Sequence, residues 1–97
     1  MKNYSYIISV VTPEGERELA SFPAYEGAYD EALGFIQGFA MGTFSDNGKK
    51  KVEVTHYFTD KRAKYTDYVV LVDGFDQWNY KIILSFVETV DSVGATC

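Results

Sequence analysis

The chain is short of the residues on which most catalytic and metal chemistry depends. Its 97 residues include one histidine and one cysteine. One His and one Cys cannot complete a zinc site, and Asp73-Gly74-Phe75-Asp76 lacks the ligand spacing of a calcium loop. Cys97 is the last residue, with no thiol to pair with and no rigid element to hold it against a base. A chain without an internal disulfide fits a reducing compartment, and we expect a cytoplasmic protein. No apolar run is long enough to span a bilayer. The opening residues, Met1 to Thr12, read as a strand rather than a leader, so the glycosylation pattern Asn3-Tyr4-Ser5 has no use here. Basic residues are also scarce. Nine Lys and Arg against fourteen Asp and Glu give a formal charge of −5 and a pI near 4.7. Direct non-specific binding of nucleic acid needs a basic face that displaces counterions, so none is expected. A protein partner with a basic surface is compatible.

What remains is globular. The composition is 46 % hydrophobic and 24 % charged, which favours a packed core over disorder. The length allows one domain over 1–97 and one core. Eight tyrosines and seven phenylalanines suit half-buried strand positions, and tyrosine also suits binding surfaces, having broad contact area and a polar tip.

One stretch has helical periodicity. Between Tyr29 and Met41, residues Ala32, Leu33, Ile36, Phe39 and Ala40 recur at the spacing of one helix face. Asp30 and Glu31 fall in the first turn, where the helix dipole favours negative charge, and Gly42 suits a left-handed residue after the last turn. No Ser, Thr, Asp or Asn marks the cap, so the start lies between Glu26 and Tyr29. Gly34 and Gly38 sit on one flank, and the ordinary expectation is that they let the helix lie close on a sheet. A smooth strip for a partner or ligand is the other reading.

The rest reads as strands. Tyr4 to Thr12 is apolar on both faces and fits an inner strand. Pro13 to Glu16 is a turn, and Arg17 to Phe22 is a short, charged edge strand. After the helix, Thr43 to Lys51 is a loop. Lys51 to Thr59 alternates, with Val52, Val54, His56 and Phe58 opposite Glu53, Thr55, Tyr57 and Thr59. Tyr65 to Asp73 holds the run Tyr68-Val69-Val70-Leu71-Val72 of a buried strand. Trp78 to Val90 sets Tyr80, Ile82, Leu84 and Phe86 against Lys81, Ile83, Ser85 and Val87. Residues 91–97 read as a frayed tail. The expected fold is α+β, in the order ββαβββ: an antiparallel sheet with one helix packed on one face.

No motif in this order supports an enzyme. His56 stands in an apolar strand set and reads as a core or rim residue. Glu14, Glu16 and Glu18 have strand spacing beside an exposed turn, so they read as a solvated edge rather than an acid–base pair. Gly34, Gly38 and Gly42 recur within a helix and do not form a phosphate loop. No cofactor or metal is expected.

Charge is segregated along the chain. Residues 14–31 carry a net −5, residues 49–64 a net +4 and residues 67–97 a net −4. The basic residues flank a nine-residue strand, with Lys49, Lys50 and Lys51 before it and Lys61, Arg62 and Lys64 after it, so they form two patches about 30 Å apart. The acidic segment is expected to gather at one end of the fold. It would present Glu14, Glu16, Glu18, Glu26, Asp30 and Glu31 around Tyr25 and Tyr29 as a partner-binding surface. In composition (short, acidic, tyrosine-rich, without catalytic motifs) the chain resembles small phage-encoded inhibitors such as anti-CRISPR proteins. The resemblance extends to no residue motif and carries no site across. It implies a non-enzymatic module that blocks a nucleic-acid-handling protein. The alternative is an accessory domain that binds a small molecule between helix and sheet near Gly34, Gly38, His56 and Trp78. A third reading is a module that self-associates as a homodimer through Tyr57, Tyr65 and Tyr80.

Overall fold

Alternation with period two, interrupted once by a helical stripe, produces five strands and one helix in the computed structural model, which describes residues 3–89. The elements are β1 (Asn3–Thr12), β2 (Gly15–Pro23), α1 (Ala28–Phe44), β3 (Val52–Asp60), β4 (Tyr65–Val72) and β5 (Phe75–Thr89). The domain is α+β in the order ββαβββ, with every neighbouring pair of strands antiparallel and the helix against one face. The expected tail at 91–97, Cys97 and the end of the last strand at Val90 lie outside the described residues. Among the described residues, no helix is long and apolar enough to cross a membrane.

The strand order is β2-β1-β5-β4-β3, so the last strand is the central one. Four antiparallel pairings in that order leave the two edge strands, β2 and β3, pointing the same way. Helix α1 connects them and therefore crosses from one edge of the sheet to the other. The β4–β5 reversal is tighter than the sequence indicated. Asp73 (φ 50°) and Gly74 (φ 84°) are both left-handed, the two-residue Asp-Gly turn whose twist matches that of the strands, and pairing resumes at Phe75.

The core lies between α1 and one face of the sheet. Ile8, Ile36, Val70 and Ile82 are its largest fully buried side chains, with Tyr68 and Leu84 beside them. The helix buries Ala28, Ala32, Ile36 and Ala40, one residue per turn. Small side chains do bring the helix close to the sheet, but they are alanines. Gly34, Gly38 and Gly42 face solvent, and a methyl group on any of them would meet nothing within 4 Å. A residue two positions from the buried row is turned about 200° away from it, so close packing is excluded as the reason for these glycines.

Gly42 does not end the helix either. The chain continues to Phe44, which extends the Ile36–Ala40 row by one turn and meets Tyr80 edge-on at 4.9 Å. The cap is Ser45 in right-handed geometry, and the left-handed residues come later, at Asp46, Asn47 and Gly48. A tertiary aromatic contact outweighs the local preference of glycine for the end of a helix.

In β3 the alternation breaks after His56. His56 faces Tyr68 and Phe58 faces Asp67, so Tyr57 is an extra residue and Phe58 moves to the face without the helix. A larger bulge in β5 sets Gln77 to Tyr80 against Val70 alone, between the pairs Leu71–Asp76 and Val69–Lys81.

Burial of Tyr68 has a measurable consequence. Desolvation, with the neighbouring Tyr29 hydroxyl second, pushes its phenol up to about 12 from an ordinary 10.0. Below pH 10 both folded and unfolded chains keep this proton. Between pH 10 and 12 the unfolded chain loses it first, so stability falls as pH rises through that window. Urea unfolding midpoints should drop between these pH values in the wild type and drop less in Tyr68→Phe. Parallel curves for the two proteins would refute the assignment.

Candidate protein-binding surface

The carboxylates expected to share one end of the fold do not. Glu14 sits in the β1–β2 turn, where its backbone N–H donates to Thr12 Oγ1 at 3.2 Å. Glu16 and Glu18 lie opposite Val11 and Ser9 on the first strand. Pro23, at the other end of β2, lies opposite Ser5. From Ser5 to Thr12 is about 24 Å at strand rise, so Glu14 and Glu16 stand at the opposite end of the sheet from the helix acids, while Glu18, opposite Ser9, lies at mid-strand about 13 Å from Ser5. The chain order carried this information already, since Glu14 and Glu16 stand at the start of the nine-residue strand β2 and the helix acids follow its end.

The second group is held firmly. After β2, Ala24 N–H donates to Tyr4 O at 2.8 Å and Ala28 N–H to Tyr25 O at 2.9 Å. Gly27, with φ 89°, takes the left-handed turn before the helix, and Glu31 N–H closes the first helical bond on its carbonyl at 3.1 Å. This folds Tyr25 back over the first turn, where its hydroxyl donates to Glu31 Oε2 at 2.5 Å. That hydrogen bond, then slight desolvation, then the carboxylate charge, hold the Tyr25 phenol above its ordinary value. Tyr29 leans on Tyr6 at 5.8 Å between ring centres. Tyr25 and Tyr29 nonetheless remain 53 % and 47 % exposed, which leaves broad aromatic surface among the exposed carboxylates of Glu26, Asp30 and Glu31.

Basic residues stand at the same end. Lys64, in the β3–β4 turn, accepts the Phe86 N–H at its carbonyl, and its ammonium lies 5.9 Å from the centre of the Phe86 ring. Phe86 stacks on Tyr4 at 5.0 Å and meets Tyr6 at 5.1 Å. An aromatic cluster thus separates the acidic helix start from Lys61, Arg62 and Lys64. At the far end, the Lys51 backbone N–H donates to Asp73 Oδ1 at 2.8 Å, which brings Lys49 to Lys51 to the end that holds Glu14. Each end of the sheet carries both signs of charge. The two basic patches are separate, as the length of β3 requires.

The expected pocket between helix and sheet does not form around its four residues. Gly34 and Gly38 face solvent, and His56 is exposed at the β3 edge with Nε2 2.6 Å from Thr59 Oγ1. Trp78 lies with Val11 and Lys81, residues of the face that the helix leaves bare. The three tyrosines of the homodimer reading do not share a face either. Tyr80 packs under the helix end on Phe44, whereas Tyr57 and Tyr65 lie on the bare side with Lys81 and Phe58. Among the described residues, no group of three or more His, Cys, Asp or Glu is placed to hold a metal ion.

The bare face itself was not legible in the sequence. Phe75, 75 % exposed at the tip of the β4–β5 hairpin, lies opposite Val72 and so falls by register on the helix side, whereas Trp78, 77 % exposed, and Tyr57 and Phe58, exposed at the β3 bulge, lie on the bare face. Their positions follow from bulges, which depend on the partner strand. The fold and these surfaces define a small α+β domain whose most conspicuous features are aromatic side chains turned outward. No protein-family model, no curated protein and no solved structure matches the chain.

Proposed function

We propose that this chain is a non-enzymatic protein-binding module that occupies a basic surface on a larger, nucleic-acid-handling partner, in the manner of phage-encoded inhibitors. The observation that supports this reading is the corner where β2 enters α1. Tyr25 and Tyr29 are held there by hydrogen bonding and ring contact while half their surface stays open among Glu26, Asp30 and Glu31. Aromatic side chains fixed before binding lose little entropy on contact, and the surrounding carboxylates steer a cationic partner and set its register. Glu14 and Glu16 are too far away to belong to the same footprint and would serve only a partner that reaches both ends, and Glu18 lies at mid-strand on the helix-free face.

The test is charge reversal of Glu26, Asp30 and Glu31 to Lys. Lysine in a first helical turn costs about 0.3–1 kcal/mol per site through the helix dipole, so the fold must be verified by circular dichroism. Pull-down from bacterial lysate with mass spectrometry should give a near-stoichiometric partner for the wild type and at least a tenfold loss for the reversed variant. Undiminished capture by a folded variant would overturn the assignment of this corner.

A further inference from the structure

Helix α1 covers the face that carries Ile8, Val70 and Ile82, and the opposite face of the same five strands stays open. The strand register places Ile7, Val11, Ile83 and Leu71, all half-buried, and the buried Val69 on this helix-free face. None of the five belongs to the core cluster beneath the helix. Five strands of about eight residues present roughly 500 Å² or more, so a complex through this face would bury about 1,000 Å² in total, the lower bound for a specific interface. Trp78 extends the patch. With Val11, Pro13 and Lys81 it lines an open groove of about 440 Å³. The β5 bulge displays this side chain, and tryptophan is among the residues enriched at the energetic centres of protein interfaces.

Charge decides what kind of surface fits. By register, Glu16, Glu18, Glu53, Asp60, Asp67 and Asp76 share the face, among the described residues, with Lys81 alone, apart from Lys51, whose ammonium pairs with Glu53 at 2.9 Å. Two copies face to face would crowd twelve carboxylates into one interface, whereas a cationic surface would be drawn to it. Asp67 sharpens the point. It lies between Ile83 and Phe58 on the neighbouring strands, and its Oδ1 is buried with no hydrogen-bond partner among the described residues. The nearby Lys81 ammonium is turned to the Tyr57 ring, 5.2 Å from its centre. A buried carboxylate oxygen without a donor is costly, and an Arg or Lys from an occupant would relieve it.

We propose that the helix-free face of the sheet is a docking surface for a partner protein that presents an apolar patch studded with Arg or Lys. One of these cations donates to Asp67, and Trp78 packs against the apolar part. This surface is separate from the helix corner, and each assignment stands without the other.

The experiment is amide NMR on isotope-labelled protein titrated with two synthetic peptides, one alternating Leu and Arg and one alternating Leu and Glu. The arginine peptide should shift amides of β1, β4 and β5 saturably, and the glutamate peptide should shift none. Asp67→Asn preserves shape and Trp78→Ala alters an exposed position, and each should weaken the arginine peptide about tenfold or more. Equal binding of both peptides, shifts confined to the start of α1, or unchanged affinity in the two variants would overturn the proposal. So would a free-protein dimer in sedimentation that Ile83→Lys dissociates, since the occupant would then be a second copy.

Discussion

Ile82→Ala should cost about 2–5 kcal/mol of unfolding free energy, the range for removing a large aliphatic side chain from a packed core. Ile82 is fully buried at the centre of the sheet, on the strand flanked by β1 and β4. Its cross-strand neighbours, Val10 and Tyr68, are themselves buried and cannot collapse far into the space it leaves. For a domain of this size each kcal/mol moves the melting temperature by about 4–8 °C, so the loss is large against a total stability of about 5–15 kcal/mol. Ile83→Ala is the internal control. Ile83 is half-buried on the bare face, and its truncation should cost about 1 kcal/mol. Equal losses at the two positions would contradict the assignment of faces.

Replacing Gly34, Gly38 and Gly42 together with Ala should stabilise the protein by about 2–3 kcal/mol. Each glycine lies inside α1 on the solvent side, and none has a positive φ that a side chain would resist. Alanine exceeds glycine in a helix interior by about 0.8–1.0 kcal/mol per site, chiefly by restricting the unfolded chain, with some loss near the frayed end at Gly42. The added methyl groups meet no neighbour. Thermal and urea unfolding of the triple variant should both shift upward, with stronger helical circular dichroism. A fall in stability would show that the glycines pack against something, contrary to their exposure.

Much of the fold could be read from residue pattern because the two periods, 2 and 3.6, differ sharply. Tyr4 to Val10 and Tyr80 to Phe86 kept their alternation, and Ala32, Ile36 and Ala40 kept their stripe. Elements misread in detail were those settled by partners distant in sequence. Phe44 carried the helix past Gly42 because Tyr80, 36 positions later, receives its ring. Tyr57 became a bulge because β4 pairs on either side of it, which reversed the face of Phe58.

The candidate site was legible in part. Tyr25, Glu26, Tyr29, Asp30 and Glu31 are contiguous, so local helix geometry was enough to gather them. Glu14, Glu16 and Glu18 were grouped with them by proximity in sequence, which an intervening extended strand turns into distance in space. Asp67 gave no sign of its position, because its neighbours Ile83 and Phe58 come from two other strands.

Sequence alone determined the number and kind of elements, the pairing of hairpins across short turns, and the residues facing each side of β1 and of β5 from Tyr80 to Phe86, since each depends on contacts or periodicities within a few residues. Tertiary structure decided which side the helix covers. Ile8, Val10 and Ile82 form one face of those strands and Ile7, Val11 and Ile83 the other, nearly matched in apolar character. Choosing between them is a choice of hand for the β2–α1–β3 crossover, which the twist of the whole sheet governs. That one choice made Ile82 core and put Ile83 and Asp67 on the bare face, where the β5 bulge then displays Trp78.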